Sequence, residues 1–70
     1  MRHVLPDATG HKFQFQAGQP VVKHTGDYQW QGTVVAAFLT LGEKERYVVS
    51  HPVDTGEVLH IYGPQNLAAI

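Results

Sequence analysis

Histidines and carboxylates are the residues of this chain with side chains suited to acid–base or metal chemistry. The five histidines do not recur at the i, i+2 or i, i+4 spacing of a metal-binding pair. They are His3, His11, His24, His51 and His60. The six carboxylates fall in the N-terminal segment, in turns or at a strand start, and not mid-strand, where burial would raise a pKa and favour a general acid. They are Asp7, Asp27, Glu43, Glu45, Asp54 and Glu57. These patterns predict neither a metal site nor an ordinary acid–base pair.

Two features remain as candidates for binding chemistry. Lys23 stands in a strand-like stretch beside a turn, where an outward-pointing strand lysine is the simplest interpretation. The segment 59–62 has the period-two pattern of a β-strand with one face buried and with His60 and Tyr62 on the other. Neither pattern assigns a function by itself.

The composition excludes several classes of protein and partner. Apolar residues make up 43% of the 70 residues and charged residues 16%, which is too apolar for a disordered chain. Cysteine is absent, which excludes disulfides and thiolate chemistry. Five basic and six acidic residues give a net charge of −1, without the basic excess of a nucleic-acid-binding protein. The longest apolar run, 34–41, is too short to span a membrane, and residues 1–6 are too short for a signal peptide. We therefore expect a cytoplasmic protein with no nucleic-acid or membrane partner.

The order of apolar stretches and turns predicts an all-β domain. Residues 1–17 are expected to form a flexible N-terminal arm, and residues 18–70 a small β-barrel or sandwich. Valine-rich and aromatic stretches at 21–22, 30–41, 47–50 and 57–62 are separated by turns at 25–27 and 42–46, and by a loop at 51–56. Residues 64–68 suit one helical turn before a short last strand.

The longest predicted strand is apolar on both faces. With regular alternation its two faces would be Val34, Ala36 and Phe38 against Val35, Ala37 and Leu39. A domain of this size is only marginally stable by itself, and it has no disulfide to support it. We expect another copy of the chain to cover the second face; the N-terminal arm is the alternative cover.

An ordered set of short motifs resembles a known family. The set comprises Gly18-x-x-Val21, Lys23, Thr25-Gly26, Trp30-Gln31-Gly32-x-Val34-Val35, Tyr47-x-Val49 and His60-Ile61-Tyr62. Together these residues resemble the type II dihydrofolate reductases, the plasmid-borne enzymes that confer trimethoprim resistance. The resemblance covers about residues 18–70.

The resemblance implies a fold, an assembly and an activity. The implied protomer is a five-stranded SH3-like barrel preceded by a flexible arm, and four protomers form a homotetramer of 222 symmetry around a central pore. NADPH and dihydrofolate would enter this pore from opposite sides. Hydride would pass between them without a protein general acid, and the proton would come from solvent.

The resemblance also implies the site residues. The family's Val-Gln-Ile-Tyr pore motif falls on Leu59-His60-Ile61-Tyr62. His60, Ile61 and Tyr62 would form the catalytic surface. Lys23 and the four motif residues would bind the cofactor, and Lys23, His60, Ile61 and Tyr62 the substrate.

The chain departs from the family pattern at three positions. His60 replaces the glutamine that pairs across the pore, Leu59 replaces a valine, and Val58 replaces a serine near the pore. The histidine for glutamine keeps a second hypothesis open, in which the chain is a non-catalytic SH3-like barrel that acts as an interaction module.

Overall fold

The computed structural model describes residues 10–70. The predictions for residues 1–9, the first half of the expected arm, lie outside the described residues. Five strands and one 3₁₀ turn follow in chain order. They are β1 (Pro20–Lys23), β2 (Trp30–Leu39), β3 (Glu45–Val53), β4 (Gly56–Tyr62), the 3₁₀ turn Pro64–Asn66 and β5 (Leu67–Ala69). The strand sequences are rich in β-branched and aromatic residues, and most of the glycines lie in the connections.

All five strands belong to one antiparallel sheet. The strand order is β4-β3-β2-β1-β5. The predicted all-β, five-stranded architecture is confirmed. Closure of the predicted barrel is not: within residues 10–70 the sheet is open, with β4 and β5 at its two edges. The three residues of β5 pair along β1 alone, so among the described residues β4 is paired on one side only, with β3.

A β-bulge in β2 changes which of its side chains face the core. Val34 pairs with Val49, and Ala36 pairs with the next residue, Val48, so Val35 is an extra residue in the strand. The predicted regular alternation is therefore wrong beyond Val34. Val34 and Leu39 are buried, whereas Val35 is 50% exposed. Because of the bulge, Leu39 in the second half of the strand lies on the same face as Val34.

The core lies on one side of the sheet, which we call the inner face. It consists of Phe15, Val21, Val34, Tyr47, Val49 and Leu67. Phe15 belongs to the segment expected to be a loosely held arm, yet it is 2% exposed. The backbone N–H groups of Gln14 and Phe15 donate to the Tyr47 hydroxyl, at 2.7 and 3.1 Å. Residues 10–17 form no strand, but this part of the expected arm is fixed to the domain by aromatic packing and hydrogen bonds.

The β3–β4 hairpin is tighter than the sequence predicts. β3 continues to Val53 and pairs with Gly56, so the connection is reduced to residues 54 and 55. Gly56 has φ 140°, a conformation that residues with a side chain rarely adopt. His51 and Pro52, which were expected in a loop, lie within β3 instead.

Candidate functional site

The four residues of the predicted motif divide between the two faces of β4. His60 pairs with Val49 and Tyr62 with Tyr47, which places both on the inner face. Leu59 and Ile61 lie on the opposite, outer face and are 55% and 62% exposed. The prediction that His60 and Tyr62 share a face is confirmed. The prediction that the opposite face is buried is wrong, because the pairing with Tyr47 and Val49 turns His60 and Tyr62 toward the core side.

Aromatic and imidazole rings gather beside β4 on the inner face. We call Tyr28, Trp30, His51, His60 and Tyr62 the aromatic cluster. Trp30 stacks on His51 with ring centroids 4.0 Å apart and an interplanar angle of 11°. His60 meets the edge of Trp30 at 5.5 Å and stacks on Tyr62 at 5.9 Å. The rings run from the buried His51 to the exposed His60 and Tyr28, so one side of the cluster is open to a ligand.

His51 is the buried centre of this cluster. Its side chain is completely buried, and both ring nitrogens have partners: Nδ1 lies 2.8 Å from the Gln31 carbonyl oxygen and Nε2 2.8 Å from the Tyr62 hydroxyl. A carbonyl oxygen can only accept, so Nδ1 carries the hydrogen. In the neutral ring Nε2 is then the acceptor, and the Tyr62 hydroxyl donates to it. Burial of the imidazole is thus fully compensated by hydrogen bonds.

Lys23 lies at the other end of the aromatic cluster. It pairs with Trp30 across β1 and β2, and its ammonium group sits 4.1 Å from the centroid of the Tyr28 ring. Asn66 anchors the intervening turn, since its backbone oxygen accepts from the His24 N–H and its side chain from the Thr25 hydroxyl. The structure therefore brings Lys23 to the same inner-face surface as His60 and Tyr62, with Tyr28 and Trp30 between them.

The Tyr62 hydroxyl is held in its protonated form. Burial raises the pKa of Tyr62 above its usual value of 10.0, and the nearby Tyr28 hydroxyl raises it further. At neutral pH Tyr62 is therefore a neutral hydrogen-bonding group. It can orient a ligand or a neighbouring ring, but it is no source of negative charge.

A second polar constellation lies between the N-terminal segment and the start of β3. His11 and the Tyr47 hydroxyl both hydrogen-bond to the Glu45 carboxylate. Burial raises the pKa of the Glu45 carboxyl, but hydrogen bonds from Tyr47, His11 and the Gln14 N–H outweigh it, so the pKa lies below 4.5. Burial and the Glu45 carboxylate in turn raise the pKa of Tyr47. We call His11, Glu45 and Tyr47 the arm clamp, because it fixes residues 11–15 to β3.

An open pocket of about 590 Å³ lies between residues 11–17 and Ala37, away from the aromatic cluster. In the part of the chain that the structure describes, histidines and carboxylates do not come together in any group of three or more that could hold a metal ion. Residues 10–70 also contain no helix with the length and apolar character needed to cross a membrane.

Sequence reasoning missed three members of the aromatic cluster. It treated His51 as a loop residue, Trp30 as a strand start, and gave Tyr28 no role. A usable signal was present: Tyr28 and Trp30 are two residues apart, the spacing that places side chains on one face of an extended chain. The contact of Trp30 with His51 depends on the pairing of distant strands, which no local pattern gives.

No family model, curated protein or solved structure matches this chain. The class of protein that the observations define is an open, five-stranded antiparallel β-sheet with an aromatic cluster and a lysine on its inner face.

Proposed function

We propose that this chain is an NADPH-dependent dihydrofolate reductase that reduces dihydrofolate to tetrahydrofolate and is insensitive to trimethoprim. The proposal includes an SH3-like arrangement of the strands, a homotetramer of 222 symmetry with a central pore, and a cytoplasmic location. One observation carries it: the segment Leu59–Tyr62, which resembles the pore motif of the type II reductases, lies on the free edge strand β4. An edge strand is the place where other copies of a chain can complete a shared site.

The outer face beside β4 supports an assembly of several copies. Leu59 is 55%, Ile61 62% and Val35 50% exposed, and Ile61 pairs with Val48, which in turn pairs with Ala36 on β2. Apolar side chains grouped in this way across three strands are typical of a surface that another protein covers. In the proposed tetramer, neighbouring copies cover these residues.

The residues of the inner face fit a dinucleotide phosphate in their chemistry. Lys23 supplies a cation for phosphate, and the aromatic cluster supplies flat apolar surfaces with hydrogen-bonding rims for planar rings. Each chain carries a net charge of −1, so four chains carry −4, which repels an anionic cofactor. Four Lys23 ammonium groups converging on one pore would reverse this potential locally.

Catalysis in this proposal comes from position and not from a protein acid. The bound NADPH supplies the hydride. In this proposal the proton comes from solvent. The task of His60 and Tyr62, with the backbone of Ile61 between them, is to hold two planar ligands face to face, which removes much of the entropic part of the barrier.

His60 offers the most direct test of the proposal. It is exposed in the single chain and stacks on Tyr62, so it belongs to the surface that a ligand would touch. Neutral imidazoles can pair across a pore through one donor and one acceptor nitrogen, as the family's glutamines do.

The test is dihydrofolate-dependent oxidation of NADPH in the presence of excess trimethoprim, with the mass of the same sample measured by size-exclusion chromatography and light scattering. We expect turnover by a tetramer, and we expect Lys23→Met to raise the KM for NADPH by about ten-fold or more. A tetramer without turnover would contradict the proposed activity, and His60→Gln would then test whether this one residue prevents it. A monomer that does not bind NADPH would overturn the proposal.

The second candidate function is a non-catalytic SH3-like interaction module. The unpaired side of β4 favours it, because a free strand edge can accept an extended peptide through backbone hydrogen bonds. Alternate exposed side chains, Leu59 and Ile61, would then give specificity. This function is supported if the chain is monomeric and silent toward NADPH, and it is excluded by trimethoprim-insensitive turnover.

A further inference from the structure

We propose that His51 is a positioning residue that accepts the hydrogen bond of the Tyr62 hydroxyl. Tyr62 then meets a ligand as a hydrogen-bond acceptor only. The ligand group it selects is then an N–H donor on the rim of a planar ring, such as a carboxamide or a ring amine. The ligand part of this inference rests on the proposed function. The hydrogen-bond part rests on the ligand-free structure.

The direction of the hydrogen bonds follows from chemistry. The Gln31 carbonyl oxygen, 2.8 Å from Nδ1 of His51, has no hydrogen to give, so Nδ1 is the protonated nitrogen. Nε2 of the neutral ring has a lone pair and lies 2.8 Å from the Tyr62 oxygen. A tyrosine hydroxyl has a single hydrogen, and this bond uses it.

The surroundings of His51 hold its ring in this orientation. Trp30 stacks on one face at 4.0 Å, and the side chain is completely buried. A flipped ring would exchange the nitrogens for carbons and leave both the Gln31 carbonyl and Tyr62 without their partners. The tautomer is therefore set by a backbone oxygen that does not take part in ligand binding.

The Tyr62 hydroxyl can therefore form only one kind of hydrogen bond with a ligand. The ring stacks on His60, and the hydroxyl oxygen keeps a lone pair that His51 does not use. This oxygen can accept from a ligand N–H, but it has no proton left for a ligand carbonyl or carboxylate. The site thus selects a ligand by the direction of the hydrogen bond that it forms with Tyr62 as well as by its shape.

Two substitutions separate the two bonds of His51. In His51→Asn the amide occupies roughly the place of Nδ1 and can still donate to Gln31, but it is too short to reach Tyr62. In His51→Gln the amide reaches the place of Nε2, so its oxygen can still accept from Tyr62. Each variant loses one of the two hydrogen bonds of His51, so we expect similar decreases in the free energy of unfolding. Ligand binding is compared under conditions where the two variants have the same folded fraction.

The deciding experiment is nitrogen-15 NMR of the imidazole groups in the full, ligand-free chain. We expect His51 at neutral pH to be the Nδ1–H tautomer, with an Nε2 resonance that moves in Tyr62→Phe and stays in place in Tyr28→Phe. An Nε2–H tautomer, or an Nε2 resonance unchanged by Tyr62→Phe, would overturn the proposal. These spectra decide the hydrogen-bond assignment even if the wild type fails to bind NADPH, which would overturn the proposed function instead.

NADPH titrations by calorimetry test the ligand part. We expect the preference for NADPH over its analogue with a ring carboxylate in place of the carboxamide to be about five-fold smaller in His51→Asn than in His51→Gln, because the freed Tyr62 hydroxyl can then donate to the carboxylate. Equal preferences in the two variants would overturn the ligand part of the proposal.

Discussion

His51 supplies to Gln31 the hydrogen bond that Pro52 cannot make. The pairing of β2 with β3 ends at Thr33 and Ser50. If it continued for two more residues, Gln31 would lie opposite Pro52. Proline has no backbone N–H, so the Gln31 carbonyl would lose its ladder partner. The imidazole Nδ1 of His51 donates to this carbonyl instead, at 2.8 Å. The end of the ladder and the orientation of the buried imidazole therefore depend on each other.

The close approach of β2 to β3 beneath the aromatic cluster depends on Gly32. A Cβ at Gly32 would lie 2.6 Å from the Ser50 carbonyl oxygen and 2.9 Å from Nδ1 of His51. We expect Gly32→Ala to lower the free energy of unfolding by about 1–3 kcal/mol, because backbone atoms must move apart. Urea denaturation measures this. Gly42→Ala is the matched control, since its nearest atom would be 3.8 Å away, and equal stability of the two variants contradicts the prediction.

The Tyr47 hydroxyl is the part of the arm clamp that accepts from both the Gln14 and the Phe15 N–H groups. In Tyr47→Phe the Gln14 and Phe15 N–H groups lose their shared acceptor, and we expect a loss of about 1–3 kcal/mol. The readout is unfolding by urea together with the rate of proteolysis after Lys12. Tyr28→Phe removes a hydroxyl from a ring that is 58% exposed and should leave both measurements unchanged. Unaltered cleavage in Tyr47→Phe would show that this hydroxyl does not hold the segment.

The arm clamp should also respond to acid. The pKa of Glu45 is lowered in the folded chain from its usual 4.5, so the carboxylate stabilises the fold above that pH. This contribution is lost as the pH falls through the lower, folded value. We expect amide exchange at residues 14 and 15 to accelerate in this window relative to that at Val49. In Glu45→Gln the ratio of the two exchange rates should not depend on pH there, and a pH-dependent ratio in this variant would assign the effect to another group.

The proposed cofactor site predicts a charge effect at Lys23. We expect Lys23→Met to weaken NADPH binding by about ten-fold or more, the contribution of a hydrogen bond to a charged group. The salt dependence of binding should flatten in the same variant, because fewer charges are then screened. Lys44→Met, in the exposed β2–β3 turn, is the control. Binding that is insensitive to salt and unchanged in Lys23→Met would remove this residue from the site.

The proposed assembly predicts that Ile61 is covered in solution. Ile61 and Leu41 are both 62% exposed in the single chain, but only Ile61 lies on the outer face beside the β4 edge. We expect Ile61→Lys to reduce the mass in light scattering from tetramer to a smaller species, and Leu41→Lys to leave it unchanged. A substitution on a truly exposed surface changes stability by no more than about 0.5 kcal/mol. An intact tetramer in Ile61→Lys would place the interface elsewhere.

Local patterns in the sequence were sufficient to predict most strands. The valine-rich stretches and the glycine-containing turns place β1, β2, β4 and the 3₁₀ turn before β5 within a few residues of their observed bounds. These features depend on neighbouring residues, and local preference is what a single sequence reports.

Features that depend on distant contacts could not be predicted in this way. The bulge at Val35 is visible only in the pairing of β2 with β3. The burial of Phe15 depends on Tyr47, 32 residues further along the chain, whose hydroxyl accepts from its backbone. Likewise, the place of His51 in the aromatic cluster depends on its contacts with Trp30 and Tyr62. The residues that surround Lys23 and His60 are therefore a result of the tertiary fold.

The bulge in β2 also determines where the chain can change length. Val34 and Ala36 pair with the consecutive residues Val49 and Val48, so removing Val35 alone would give an uninterrupted ladder. Every other side chain of β2 would keep its face, since the alternation would run directly from Val34 to Ala36. A deletion at Thr33 or Ala37 would instead turn part of the strand over. In an alignment of related sequences, a one-residue gap in this strand is therefore expected at position 35.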